Sequence, residues 1–265
     1  MNDIFSLKGR VIVLTGGLGR LGRRYTEFLL AQGARVAVLD RAEAVASRTS
    51  GTDSEIIIGV DVLSRKSLEE ALRTIEEKWE TPHGLINNAA LDSPPDSPIS
   101  ENGPFEEYPE SSWDAVMDVN VKGVFLCCQV FGGAMARAGR GSIINIGSIY
   151  GAVSPDQNIY DYRRQRGETF FKPVAYSASK SALYNLTRYL ATYWAPRRVR
   201  VNTLTLAGVA DNQEPAFLEG YLRKVPLGRM AKADDYFGPV GFLLSEASGY
   251  MTGADLVVDG GWTAW

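Results

Sequence analysis

Apolar and polar positions alternate in blocks along the whole chain. Residues 10–15 (RVIVLT), 34–40 (ARVAVLD), 55–61 (EIIIGVD), 84–89 (GLINNA), 142–146 (SIINI), 199–204 (VRVNTL) and 256–259 (LVVD) are short apolar runs that predict seven strands. Between them, apolar residues recur at helical spacing. Leu21, Tyr25, Phe28 and Leu29 share one face, and so do Leu68, Leu72, Ile75 and Trp79. Gly33 is placed to end the first of these helices in a left-handed cap, and Ser64 to N-cap the second. Further helices are expected around 112–137, 176–194 and 234–245. Short apolar strands separated by amphipathic helices predict parallel βαβ units. The fold class is therefore α/β: a doubly wound, seven-stranded parallel sheet with helices on both faces, in one domain over 1–265.

Two stretches break this rhythm. Residues 91–111 hold Pro94, Pro95, Pro98 and Pro104 and predict a long irregular loop. Residues 151–172 combine aromatics with the basic cluster Arg163, Arg164, Arg166 and Lys172. Each follows the carboxyl end of a strand, the side on which open parallel sheets bind ligands, so both read as substrate-side loops.

A glycine cluster sits at the first strand–helix junction. Gly17, Gly19 and Gly22 fit G-x-G-x-x-G, with Gly16 before them and Leu21 within. A strand that turns sharply into a helix while its backbone meets a diphosphate needs glycine, and the helix N-terminus supplies free N–H groups. Asp40 ends the second strand, where an acid accepts from the ribose hydroxyls of NAD and repels the extra phosphate of NADP. These features predict a Rossmann fold with NAD as cofactor. A solvated strand-end acid is the plainer account of Asp40, and Arg41 beside it weakens the exclusion of NADP.

Tyr176 and Lys180 lie one helical turn apart on one face. A phenol titrates near 10, and a fixed ammonium beside it is expected to bring that down toward a working proton acceptor. Chance supplies such a spacing readily in a chain with 12 Tyr. Its place after the fifth strand, where a nicotinamide lies in a doubly wound fold, gives it meaning.

The chain resembles the short-chain dehydrogenase/reductases over nearly its whole length. The matching pieces run in order: the glycine turn, Asp40, residues 60–62 (VDV), 87–90 (NNAA), Asn120, Ser148, Tyr176-x-x-x-Lys180, 200–202 (RVN) and 258–261 (VDGG). The resemblance implies hydride transfer between NAD(H) and a secondary alcohol or ketone. It makes Tyr176 the general acid/base, Lys180 its partner and a ribose ligand, Ser148 a donor to the substrate oxygen, and Asn120 the holder of a relay water. It also places Asp61 and Val62 at the adenine, Asn88 and Ala89 on the ribose side, and Val209 at the carboxamide. For Asn88 a tie between strand ends, and for Asn120 the satisfaction of backbone groups, are the structural alternatives.

Three departures qualify the resemblance. The family's single-domain branch usually carries glycine where this chain has Arg20. Leu206 and Ala207 stand where Pro-Gly is usual. Ser148 and Tyr176 are 28 positions apart, about twice the family's usual spacing. The added residues bring Arg163, Arg164 and Arg166 beside the expected pocket, as candidate ligands for an anionic group on the substrate. A solvated basic loop or a subunit contact is the structural alternative. Residues 148–151, 173–177 and 211–213 are similar to a subgroup tied to bacterial surface-sugar and flagellin modification, which points to a sugar-like substrate.

Composition narrows the rest. A formal net charge of -3 with 45% hydrophobic residues gives no basic surface for nucleic acid. No run of eighteen apolar residues predicts a membrane span. Adjacent Cys127 and Cys128 read as buried thiols on a core helix, in keeping with the cytoplasm, and His83 as a lone surface or turn residue unable to build a metal site. A homo-oligomer, tetramer or dimer, follows from the resemblance. Two other readings stand beside the dehydrogenase: an inactive dinucleotide-binding regulator, which the filled catalytic positions oppose, and an epimerase or dehydratase, which the short chain opposes.

Overall fold

The structure, a computed structural model, describes residues 3–46, 52–92 and 101–265. Seven strands are observed: β1 (Val11–Thr15), β2 (Arg35–Asp40), β3 (Glu55–Gly59), β4 (Gly84–Asn87), β5 (Gly141–Ser148), β6 (Val199–Leu206) and β7 (Asp255–Val258). They form one sheet in the order β3-β2-β1-β4-β5-β6-β7, every pair parallel. The order reverses between β1 and β4, and that reversal opens the crevice where doubly wound sheets take a dinucleotide.

Alternation along β1 divides the core. Val11 and Val13 join a cluster with α2 (Arg65–Lys78), α3 (Glu110–Ala138) and α4 (Val174–Trp194) on one face. Ile12 and Leu14 point the other way, onto α1 (Arg20–Ala31) and, across the sheet, α6 (Phe237–Leu244). The helix signals behave as their chemistry predicts: Gly33 has φ 76° just past α1, and the Ser64 side chain accepts from the Ser67 N–H at 3.2 Å. By length and composition α3 could cross a membrane, but its apolar residues cover the sheet as core. Its ladder loosens into π-type turns at Asp118–Gly123 and Cys128–Gly132, the first of which carries Asn120.

One of the two stretches expected to be irregular is not so. Pro94, Pro95 and Pro98 of the first lie outside the described residues. The second is not irregular: it holds a 3-10 turn at Gln157–Tyr160 and a helix at Asp161–Gln165. A third apolar cluster explains this order, because Tyr160 and Phe170 are buried with Phe217 and Tyr221 of the segment around α5 (Pro215–Leu222), against Trp262. Cys127 and Cys128 are buried and unbridged. His83 lies half-buried in the bend before β4, the turn position expected of it; its Nδ1 accepts the Val11 N–H at 3.1 Å, fastening the start of β1.

Candidate active site

The glycine turn connects β1 to α1 by close backbone approach. Gly16 has φ 63°, a conformation costly for any residue with a Cβ, and a Cβ there would stand 2.8 Å from the Ala89 Cα. A Cβ at Gly22 would meet the Gly16 carbonyl oxygen at 2.2 Å, so the first turn of α1 lies directly on the loop. Gly17 is buried against Val38, while Gly19 is the N-cap and supplies no side chain to the helix. The first N–H groups of α1 are thereby left facing the crevice, a cradle that fits a diphosphate. Leu21 packs beneath, with the α1 core.

Asp40 sits beside this cradle. One carboxylate oxygen accepts the Leu18 N–H and the other its neighbour Arg41 N–H, both at 2.8 Å, which holds the acid against the turn. Asp61 follows β3 and turns its carboxylate to the Leu63 N–H, while Val62 packs near Gly123 of α3. The Asn88 amide donates to the carbonyls of Thr15 and Gly16, and the Thr15 hydroxyl accepts the N–H groups of both Asn88 and Ala89. Asn88 thus ties the ends of β1 and β4, the structural role weighed above. Val209 pairs with Ala231 in the loop after β6 and accepts from Gln213. Arg20, at the usual glycine position, reaches across to Asp211 at 2.9 Å and to the Ala210 carbonyl. The phosphate turn and the post-β6 loop are clasped together.

Ser148 ends β5, and Tyr176 and Lys180 rise beside it from α4. The Ser148 side chain lies beside the Tyr176 hydroxyl and acts to lower its pKa, and the Lys180 Nζ lies 5.8 Å from the Tyr176 ring centre. That ammonium is buried and donates to the Ile146 carbonyl at 2.8 Å. Asn120 accepts from the Leu91 N–H at 2.7 Å and donates to the Leu91 carbonyl and the Ser179 hydroxyl. Ser179 in turn donates to the Tyr176 carbonyl at 2.8 Å, so Asn120 is linked to the helix turn that carries Tyr176, with Lys180 one turn further along.

The electrostatics correct one expectation. Tyr176 is not held below the usual phenol range; burial pushes it up, the Asp92 carboxylate pushes it further, and Ser148 offsets part of the rise. Burial also brings Lys180 down to about 8, with Asp92 opposing. Burial of the phenol outweighs the draw expected of the ammonium.

The three arginines of the insertion are committed within it or to α5's neighbourhood. Arg163 pairs with Glu168 at 2.5 Å and lies over the Phe170 ring. Arg164 pairs with Asp161 and donates to the carbonyls of Phe170 and Gln157. Arg166 pairs with Glu214 at 2.8 Å and lies over Tyr162. The cation nearest the phenol is Lys172, 5.0 Å from the Tyr176 ring centre.

Sequence reasoning passed over several members of the site. Asp92 and the placement of Lys172 depend on contacts 80 residues apart. Tyr184 was findable, since it falls one further turn along the Tyr176–Lys180 face. Its hydroxyl meets the Ser148 carbonyl at 3.0 Å and Thr205 at 2.7 Å, bracing the end of β5.

A glycine cradle, a strand-end acid and a Ser–Tyr–Lys cluster at one crevice define a nicotinamide-dependent oxidoreductase of the doubly wound class. A family model described as enoyl-(acyl carrier protein) reductase matches residues 20–263. Galactitol 2-dehydrogenase of Rhizobium johnstonii is 33% identical, with 98% of each chain covered. The structure of a short-chain dehydrogenase from Leptospira borgpetersenii with bound NAD+ superposes with a TM-score of 0.86 at 32% identity, covering 99% of this chain and 96% of that one. A gluconate 5-dehydrogenase from Burkholderia cenocepacia, in complex with NADP and tartrate, gives 0.84 at 26% identity over 99% and 98%. The chain belongs to the short-chain dehydrogenase/reductase family.

Proposed function

We propose that this chain oxidises a secondary alcohol of a sugar-like polyol, and reduces the matching ketone, with NAD(H) as its cofactor. The observation that carries the reading is the Ser148–Tyr176–Lys180 cluster at the carboxyl end of β5, beside the crevice between β1 and β4. When bound, the dinucleotide supplies the hydride acceptor and a positive charge near the phenol. Ser148 holds the substrate oxygen, and Tyr176 takes the hydroxyl proton during oxidation and returns it during reduction. Lys180, fixed by the Ile146 carbonyl, stabilises the phenolate and holds the nicotinamide ribose. Asn120 organises the path behind Lys180 through Ser179 and Leu91, the segment expected to hold a relay water.

The cradle of Gly16, Gly17, Gly19, Leu21 and Gly22 takes the diphosphate. Asp61 and Val62 border the adenine, Asn88 and Ala89 the ribose side, and Val209 the carboxamide. Asp40 supports NAD over NADP, because its carboxylate, held beside the cradle by the Leu18 and Arg41 N–H groups, would repel a 2′-phosphate. The likeness to galactitol 2-dehydrogenase supports a polyol substrate. Self-association belongs to the same reading: Tyr189 and Tyr193 stack at 6.1 Å on the outer face of α4, both more than 60% exposed, a surface suited to a second copy. Two buried thiols, Cys127 and Cys128, suit the reducing cytoplasm.

The test is initial-rate formation of NADH or NADPH against a panel of tetritols, pentitols, hexitols, aldonates and sugar phosphates. NADH formation with a polyol is expected, with NADP the poorer cofactor. Binding of either dinucleotide without reduction by any secondary alcohol would overturn the reading.

A further inference from the structure

An ion pair joins the two substrate-side loops. Lys172 Nζ, in the insertion before Tyr176, donates to the Asp92 carboxylate at 2.7 Å, while the same ammonium lies 5.0 Å from the Tyr176 ring centre. The burial is lopsided. The Lys172 side chain is 7% exposed and that of Asp92 54% exposed, so the ammonium is sunk in the wall and the carboxylate stands at the opening.

Both ends are fixed by main-chain bonds. Gln157 accepts the Lys172 N–H at 2.9 Å and donates to the Lys172 carbonyl at 3.3 Å. The neighbouring Phe171 N–H donates to the Asn102 carbonyl at 2.8 Å, joining the insertion to the other loop. On the opposite side, Asp92 follows Leu91, whose N–H and carbonyl are both bound by Asn120. A pair anchored at Asn120 on one side and Gln157 on the other keeps its position relative to Tyr176. Its charge reaches the reacting groups, since the Asp92 carboxylate raises both Tyr176 and Lys180.

We infer that Asp92 and Lys172 form a charge-neutral pair that reads substrate hydroxyls, selecting uncharged polyols over their carboxylated counterparts. This rests on the polyol-oxidation reading above and names the substrate class of that same site. A half-exposed carboxylate accepts from hydroxyl groups, two vicinal ones at once where the geometry permits, and repels a second carboxylate. All four cations of the insertion, Arg163, Arg164, Arg166 and Lys172, are paired with acids. An anionic substrate would have to displace Asp92 from Lys172 before finding a positive partner there.

The experiment compares kcat/KM for galactitol and threitol with that for gluconate, all with NAD+, in the wild type, Asp92→Asn, Lys172→Met and the double variant. The wild type is expected to favour the polyols. Asp92→Asn should move the polyol-to-gluconate ratio toward gluconate by at least about tenfold, mostly through KM, because a carboxylate acceptor is lost and the ammonium is released. The double variant should lose the gain on gluconate, and Lys172→Met alone should weaken polyols without any gain. Asp92 is half-exposed, so its amide variant is expected to keep the wild-type melting temperature and NAD affinity. A ratio within about twofold of wild type in an Asp92→Asn protein that melts and binds NAD normally overturns the inference alone. Failure of the wild type to oxidise either class sinks the parent reading and this one with it.

Discussion

The two sides of the cleft are positioned by different physics. On the dinucleotide side the backbone does the work: Gly16 turns at φ 63°, Gly22 brings α1 onto the loop, and Asn88 and Thr15 bind main-chain groups. On the substrate side the work falls to side chains, in the pairs Arg163–Glu168, Arg164–Asp161 and Lys172–Asp92 above the Tyr160 and Phe170 core. Backbone geometry leaves almost no substitution open. Paired side chains can be exchanged while the sheet beneath stays unchanged. Affinity for cofactor is thus built into the fold, and specificity for substrate is added to it.

The sharpest way to separate the two sides is to remove the proton carrier that lies between them. Tyr176→Phe deletes one hydroxyl, which lies beside Ser148, and touches nothing in the glycine cradle. Its kcat should fall by about 10²–10⁴-fold, the usual contribution of a positioned acid/base. NAD affinity, read by fluorescence titration, should stay at the wild-type value. A variant that still turns over at a tenth of the wild-type rate or better would mean that another group carries the proton.

Gly22→Ala tests the backbone side. The new methyl would stand 2.2 Å from the Gly16 oxygen and 2.6 Å from the Gly17 Cα, neither of which can rotate away. Overpacking of this kind costs about 1–3 kcal/mol in stability. NAD affinity should drop with it, while the KM for polyol at saturating NAD should hold. Equal loss on both sides in steady-state kinetics would show that the cradle and the substrate mouth are one unit.

The contrast also explains what the sequence made legible. The seven strands, the α/β order, the left-handed cap at Gly33 and the Ser64 cap rest on local rules, and each was readable from a few adjacent residues. Ser148, Asn120, Tyr176 and Lys180 were readable because a motif order named them; the structure links Asn120 through Ser179 to the turn that carries Tyr176 and sets Lys180 one turn on. Asp92 and Lys172 were not, because their partnership spans 80 positions and no periodicity encodes an ion pair. The same reason hid the clasp from Arg20 to Asp211. Order in residues 151–172 was missed because aromatics spaced through an apparent loop anchor it only once α5 and Trp262 are in place.

Lys180 lies where the two sides join, and its buried ammonium should show in the pH dependence of stability. Burial lowers the folded-state value to about 8, against 10.5 for the unfolded chain. Between those limits the unfolded state binds more protons, so stability rises with pH through this window. At pH 7 both states are charged and the burial penalty is fully present. Lys180→Met leaves the Ile146 carbonyl without this partner, a loss that does not vary with pH, and removes the titration. Urea unfolding from pH 7 to 10 should therefore show the wild type gaining on the variant from about 8 upward. Above pH 10 both proteins should weaken together, because burial raises Tyr25, Tyr160 and Tyr236 and the unfolded chain ionises first. Parallel curves for the two proteins below pH 10 would show that Lys180 stays charged and solvated when folded, with no lowering by burial.

The smallest expected effects sharpen the comparison within the substrate side itself. Arg164 and Arg166 are two residues apart in one basic cluster, but their surroundings differ. Arg164 has 27% of its side chain exposed and binds two carbonyls as well as Asp161, so alanine there strips partners from groups that hold the insertion closed. That change should cost about 1–3 kcal/mol in chemical denaturation and loosen the loop above Tyr176. Arg166 and Glu214 are 55% and 51% exposed, and water replaces what alanine removes. Arg166→Ala should leave kcat/KM for polyols and for gluconate alike within about twofold of wild type. A selective loss on gluconate in Arg166→Ala would instead place the anion reader at the rim of the insertion, and would move specificity away from the Asp92–Lys172 pair.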